Sequence, residues 1–142
     1  MLNRNTEKEI TNQIQYVSMD EITTIMQENT NYIILDVRTT EEYDEGHIPN
    51  AICIPNETID ETVTTKLPNK DQLILIYCRS GNRSKQAALK LQQLGYTNLV
   101  EFGGIIDWDG EIEKWAVKIK CLYWKERRFY GDMLRRKIWI IN

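Results

Sequence analysis

Three cysteines are too few, and the wrong number, to build a covalent scaffold. An odd count with no metal-like spacing argues against a disulfide framework and against a zinc site. Histidine is scarcer still: His47 is the only one. No stretch is long or apolar enough to span a bilayer. The opening residues, Met1-Leu2-Asn3-Arg4-Asn5-Thr6-Glu7-Lys8, lack the apolar core of a signal peptide. No segment repeats, none is of low complexity, and none carries a motif for reading nucleic-acid bases, so no nucleic-acid partner is expected. These absences point to a reducing, cytoplasmic setting with no disulfides, metal or cofactor.

What is present is ordinary in amount and uneven in placement. The 142 residues are 42% apolar and 27% charged, enough for one domain with a real core. The net charge of −3 hides a division. Residues 1–113 hold 9 Lys/Arg against 19 Asp/Glu, a net −10, and residues 114–142 hold 9 against 2, a net +7. Three parts follow: a polar, flexible N-terminus over 1–15, a domain over 16–113, and a basic, aromatic tail over 114–142. Running into the tail, Ile112, Trp115, Ile119, Leu122 and Tyr123 fall on one helical stripe opposite Lys114, Lys118, Lys120 and Lys125. Such a face suits an anionic membrane surface, a second copy, or the acidic domain itself.

Within the domain, apolar runs alternate with helical patterns. Gln15-Tyr16-Val17 reads as a short first strand. Ser18 or Asp20 caps a helix over Glu21–Gln27, with Ile22, Ile25 and Met26 as its buried stripe. Tyr32–Leu35 forms a second strand ending at Asp36, a carboxylate that needs a partner, with Arg38 two residues on. Thr39 or Thr40 caps a short helix over Glu41–Glu45. Ala51–Ile54 is the third strand. Tyr96–Phe102 supplies the fifth, and Gly103-Gly104 turns into a final helix around Ile105 to Glu113.

The densest chemistry lies between the third and fifth strands. Leu73-Ile74-Leu75-Ile76-Tyr77 is continuously apolar, as a strand covered on both faces must be. It stops at Cys78, and Arg79-Ser80-Gly81-Asn82-Arg83-Ser84 leads into a helix from Lys85 to Leu94, ended by Gly95. Cys78 leaves the carboxyl end of the strand, the ligand side of an open α/β sheet. The helix start offers unpaired N–H groups and a positive dipole end, which bind anions and favour thiolate over thiol. Arg79 and Arg83 add positive charge, and Gly81 permits a backbone twist that a Cβ resists. Arg83 either completes the anion site or pairs with a core carboxylate.

Ile34–Arg38, Glu41–Ala51, the Cys78 loop and Phe102–Trp108 stand in the order and spacing of the rhodanese family. From about residue 16 to 113 the chain resembles its single-domain sulfurtransferases. The resemblance implies a three-layer α/β/α fold around a five-stranded parallel sheet, with Cys78 carrying a transferable sulfur as a persulfide. It implies a donor such as thiosulfate, a thiol, protein or cyanide acceptor, and a supporting polar network containing Asp36 and Arg38. His47 is expected to tie down its turn by hydrogen bonds, with general-base work the lesser alternative. Cys53 is expected to fill the core, with a resolving thiol the lesser alternative. The rival enzyme reading is a phosphatase or arsenate reductase of related fold, in which five residues separate the cysteine from the arginine. Here four separate Cys78 from Arg83, a loop sized for sulfur. The non-enzymatic rival is a sulfur-carrier or regulatory module.

Overall fold

The computed structural model describes residues 13–114. Five strands, β1 (Gln15–Tyr16), β2 (Tyr32–Asp36), β3 (Ile52–Cys53), β4 (Leu73–Cys78) and β5 (Leu99–Gly104), form one sheet in the order β1-β5-β4-β2-β3. Every pairing is parallel. Among the described residues, three α-helices accompany them: α1 (Met19–Glu28), α2 (Thr40–Glu45) and α3 (Asn82–Gln93).

The period-two alternation along β4 and β5 divides the core in two. Ile74, Ile76, Cys78 and Leu99 face α3, where they meet Ala87, Ala88 and Leu91, with Ile59, Val63 and Leu67 from two short 3-10 turns beside them. Leu75, Tyr77, Val100 and Phe102 face the other way, onto Ile22, Ile25 and Met26 of α1 and onto Ile48 and Trp108. Each fully buried aliphatic side chain contributes about 1.5–3 kcal/mol. The central strand is therefore fixed from both sides, and the position where it ends, Cys78, is fixed with it.

The caps are local. Ser18 Oγ accepts the Glu21 N–H while Glu21 accepts the Ser18 N–H, a reciprocal capping box that starts α1. Thr39 and Glu42 repeat the device for α2. Of the paired expectations, Ser18 and Thr39 are the caps, and Asp20 and Thr40 fall inside the helices.

Several elements depart from expectation: α3 begins at Asn82 rather than Lys85, so Asn82, Arg83 and Ser84 form its first turn, and β3 is Ile52–Cys53 rather than Ala51–Ile54. Strand β5 begins at Leu99 rather than Tyr96, because Tyr96 buries its ring in the α3-side core and donates its hydroxyl to the Leu67 carbonyl at 2.5 Å. The helix expected around Ile105 to Glu113 is a single 3-10 turn, Ile105–Asp107. The Trp108 ring folds over Gly110, donating its indole N–H to the Glu111 carbonyl at 3.0 Å. Glu113 then pairs its backbone antiparallel with His47, which no helix there permits. Expectations for residues 1–12 and 115–142, Cys121 and the aromatic tail included, lie outside the described residues.

Candidate active site

Cys78 is 1% exposed, at the last position of β4. The chain turns over its sulfur: the Gly81 N–H points at Sγ from 3.0 Å, and the thiol donates to Ser84 Oγ at 3.4 Å. Gly81 caps α3 with φ of 112°, the left-handed region where a Cβ is costly. Burial pushes the Cys78 thiol up, and the Ser84 hydroxyl with the N–H groups of Ser84, Gly81 and Ser80 outweighs it. The net result is a thiol below its ordinary value.

Beneath the loop, β5 makes room. Against β4 it carries one extra residue, since Ile76 pairs with Glu101 but Cys78 with Gly104. Gly104 lies directly against the Arg79 carbonyl, in space that any Cβ would occupy. That same carbonyl accepts the Ile106 N–H at 3.3 Å. The Gly103-Gly104 pair thus holds the backbone of the Cys78 loop from below.

The expected site residues separate into distinct duties. Arg79, Ser80 and Asn82 are exposed. Ser84 is fully buried, and its hydroxyl also donates to Glu101 Oε1 at 2.5 Å. Arg83 turns to Glu42 in a two-pronged pair of 2.7 and 3.0 Å. Its partner is a part-exposed carboxylate on α2 and not a core one; both side chains keep over a quarter of their surface. The Arg83 guanidinium, ahead of the Thr39 bonds, holds the Glu42 carboxyl down at about 2.

Asp36 and Arg38 come together on the sheet face opposite Cys78. Arg38 donates from its backbone N–H and its guanidinium to Asp36, at 2.7 Å for the shortest contact, and to the Gly46 carbonyl at 2.6 Å. Tyr77, the residue before the cysteine, donates its hydroxyl to Asp36 at 2.7 Å and accepts the Ile48 N–H at 3.1 Å. Burial, then Asp36, push the Tyr77 phenol far above its ordinary value, so it stays a donor.

His47 serves the turn. Its Nδ1 lies 2.7 Å from the Tyr43 carbonyl, its ring stacks on Tyr43 at 3.7 Å, and Nε2 lies 3.5 Å from Glu113 Oε2. Cys53 is half-buried on the edge strand, its thiol 3.6 Å from the Arg38 carbonyl. Burial, then nearby Asp36, push it up to about 11. That is a poor nucleophile at neutral pH, so it is ill-suited to resolve a bond on Cys78.

Sequence reasoning passed over Glu42, Tyr77 and Glu101. Glu101 had a signal: it is the one acid inside the apolar run Leu99–Phe102. A cavity of about 310 Å³ lies elsewhere, between Tyr32, Ile34, Ile48 and Trp108, and takes no residue from the Cys78 loop. No cluster of residues fit to hold a metal occurs among the described residues.

Comparison with known proteins accords with this geometry. The chain is 37% identical over 73 residues to the thiosulfate sulfurtransferase PspE of Escherichia coli, covering 51% of this chain and 70% of that one. It is 33% identical over 96 residues to a sulfurtransferase of Allochromatium vinosum, covering 67% and 88%. Other relatives are longer, and the chain spans less than half of them. Among solved structures, a rhodanese with anions from E. coli superposes with a TM-score of 0.55 at 34% identity, covering 58% of this chain and 98% of that one. Residues 18–116 match the rhodanese-like domain family over most of the described residues, and the chain belongs to that family.

Proposed function

We propose that the chain is a cytoplasmic sulfurtransferase that carries sulfane sulfur on Cys78. The Cys78 thiolate attacks the outer sulfur of a donor such as thiosulfate. A new S–S bond forms, the donor's S–S bond breaks, and the electron pair leaves with sulfite. An acceptor thiol or cyanide then attacks the outer sulfur of the persulfide, and Cys78 departs as thiolate. One transfer is split into two displacements. Loop N–H groups from Arg79 to Ser84 hold the negative charge in both, and Arg79 at the mouth attracts the anionic donor. Asp36 and Arg38 support the strand end through Tyr77.

The observation that carries this reading is the Gly81 N–H directed at Cys78 Sγ from 3.0 Å, inside a loop of four residues between Cys78 and Arg83. That span closes around a sulfur atom, and a phosphoryl group calls for a larger one. The names of the relatives, thiosulfate sulfurtransferase and sulfurtransferase, favour the same reading.

The test is an intact mass after incubation with thiosulfate. One added sulfur, removed by a thiol reductant and lost in Cys78→Ser but not in Cys53→Ser, is the expected result. Cyanide-dependent turnover should fall to background in Cys78→Ser. A sulfur retained in that variant overturns the proposal.

A further inference from the structure

The Ser84 hydroxyl has one proton, three oxygen acceptors around it, and the Cys78 sulfur, whose thiol donates to Ser84 Oγ. Glu101 Oε1 lies at 2.5 Å, the Gly81 carbonyl at 3.0 Å, the Gly103 carbonyl at 3.4 Å and Cys78 Sγ at 3.4 Å. Ser84 is fully buried, Glu101 3% exposed and Cys78 1% exposed, so no bulk water settles the contest. Glu101 takes a second hydrogen bond from the Gly103 N–H at 2.9 Å, and no Lys, Arg or His pairs with it among the described residues.

We infer that Glu101 restrains the nucleophile by holding the proton of Ser84. Ser84 lowers the thiol only when it donates to sulfur. While it donates to Glu101, it offers Cys78 a lone pair instead, which suits S–H and not thiolate. A charge-assisted bond to the carboxylate outcompetes one to a neutral acceptor. The carboxylate also places like charge on the Cys78 side of the sheet, which disfavours a second anion nearby.

The restraint has a chemical use. Intrinsic nucleophilicity falls as a thiol becomes more acidic, and the best attacking thiol titrates near ambient pH. The Ser84 hydroxyl and the loop N–H groups of Ser84, Gly81 and Ser80 favour the Cys78 thiolate. Glu101 opposes them through Ser84, as a positioning residue that touches neither donor nor acceptor.

The other charges that face the loop are accounted for. Arg79 stands at the mouth and Lys85 on the exposed side of α3. Arg83 is paired to Glu42 of α2 and feels Cys78 and Glu57 as further anions. Strands β1 and β4 carry no charged residue.

This inference rests on Cys78 as the nucleophile, and its test reads the thiol rather than sulfur transfer. The rate of alkylation by iodoacetamide against pH is measured for wild type, Glu101→Gln, Glu101→Asp, Ser84→Ala and the Glu101→Gln/Ser84→Ala pair, with circular dichroism as the folding control. Glu101→Gln should lower the midpoint by about one pH unit, roughly tenfold more thiolate on the acid side. Glu101→Asp, which keeps the charge but withdraws it from Ser84, should lower it less. In the Ser84→Ala background the effect of Glu101→Gln should fall below half. A midpoint unchanged or raised in either Glu101 variant overturns the inference and leaves sulfur transfer standing. An equal shift with and without Ser84 overturns the hydroxyl's part in it. A Cys78 that never alkylates overturns the nucleophile assignment itself.

Discussion

Asp36 and Glu101 stand on the two strands that flank β4, one to each side, and both are buried. Asp36 meets a guanidinium, a backbone N–H and a phenol, so its charge is neutralised where it sits. Among the described residues Glu101 meets neutral donors, a serine hydroxyl and a glycine N–H. The first arrangement is what a charge needs to be tolerated in a core. The second, among the described residues, sets a carboxyl with no cationic partner beside the one group whose protonation matters. The difference teaches that burial alone does not define a carboxylate's role. The donors around it do, and Glu101 is bound by the group that also touches sulfur.

Breaking the first arrangement should have the largest effect on stability. Arg38→Ala leaves Asp36 buried without its cation and frees the Gly46 carbonyl, for a loss of about 3–5 kcal/mol. Urea unfolding measures it. A loss below about 1 kcal/mol would mean that the pair is idle.

A third carboxylate sharpens the comparison from the surface. Glu42 is both the capping partner of Thr39 and the anchor of Arg83. Part-exposed, such a pair contributes about 0.2–1 kcal/mol, so Glu42→Gln should cost no more than that at neutral pH. The sign of its pH dependence follows from a carboxyl depressed in the folded state to about 2. The stabilisation is complete above the ordinary glutamate range and is lost as pH falls toward 2. Acid titration of stability should be shallower in Glu42→Gln than in wild type through that window. Identical slopes would show that Arg83 does not hold Glu42 in solution.

The smallest change in stability belongs to Glu101→Gln. The amide oxygen still accepts from Ser84 and Gly103, and an uncompensated buried charge is removed, so stability should stay within about 0.5 kcal/mol of wild type. Unfolding beside the alkylation profile separates the two effects. A loss as large as that of Arg38→Ala would place Glu101 with Asp36, as a structural residue.

Much of this was legible in the sequence because it is written locally. The continuous apolar run Leu73–Tyr77, the caps Ser18 and Thr39, and the Cys78 loop with its helix each follow from neighbouring residues. Asp36 with Arg38 was legible because the partners stand two apart. Arg83 with Glu42, Tyr77 with Asp36, and Ser84 with Glu101 were not, since each joins residues 17 or 41 positions apart. Only the parallel register brings them together. The final helix failed for the same reason: its residues have an adequate pattern, but Glu113 is claimed by His47 across the fold.

The order in which the chain is made gives the β5 exit a further consequence. Cys78 emerges from the ribosome well before Glu101, Gly103 and Gly104, the residues that brace its loop. At about 5–20 residues per second, the interval is roughly one to five seconds. Strand β1 likewise waits for β5, its neighbour in the sheet. Until that strand arrives, the loop over Cys78 lacks the backbone that braces it from below. A chain released after Leu94 should therefore alkylate with an ordinary thiol's pH midpoint, while the full chain titrates lower.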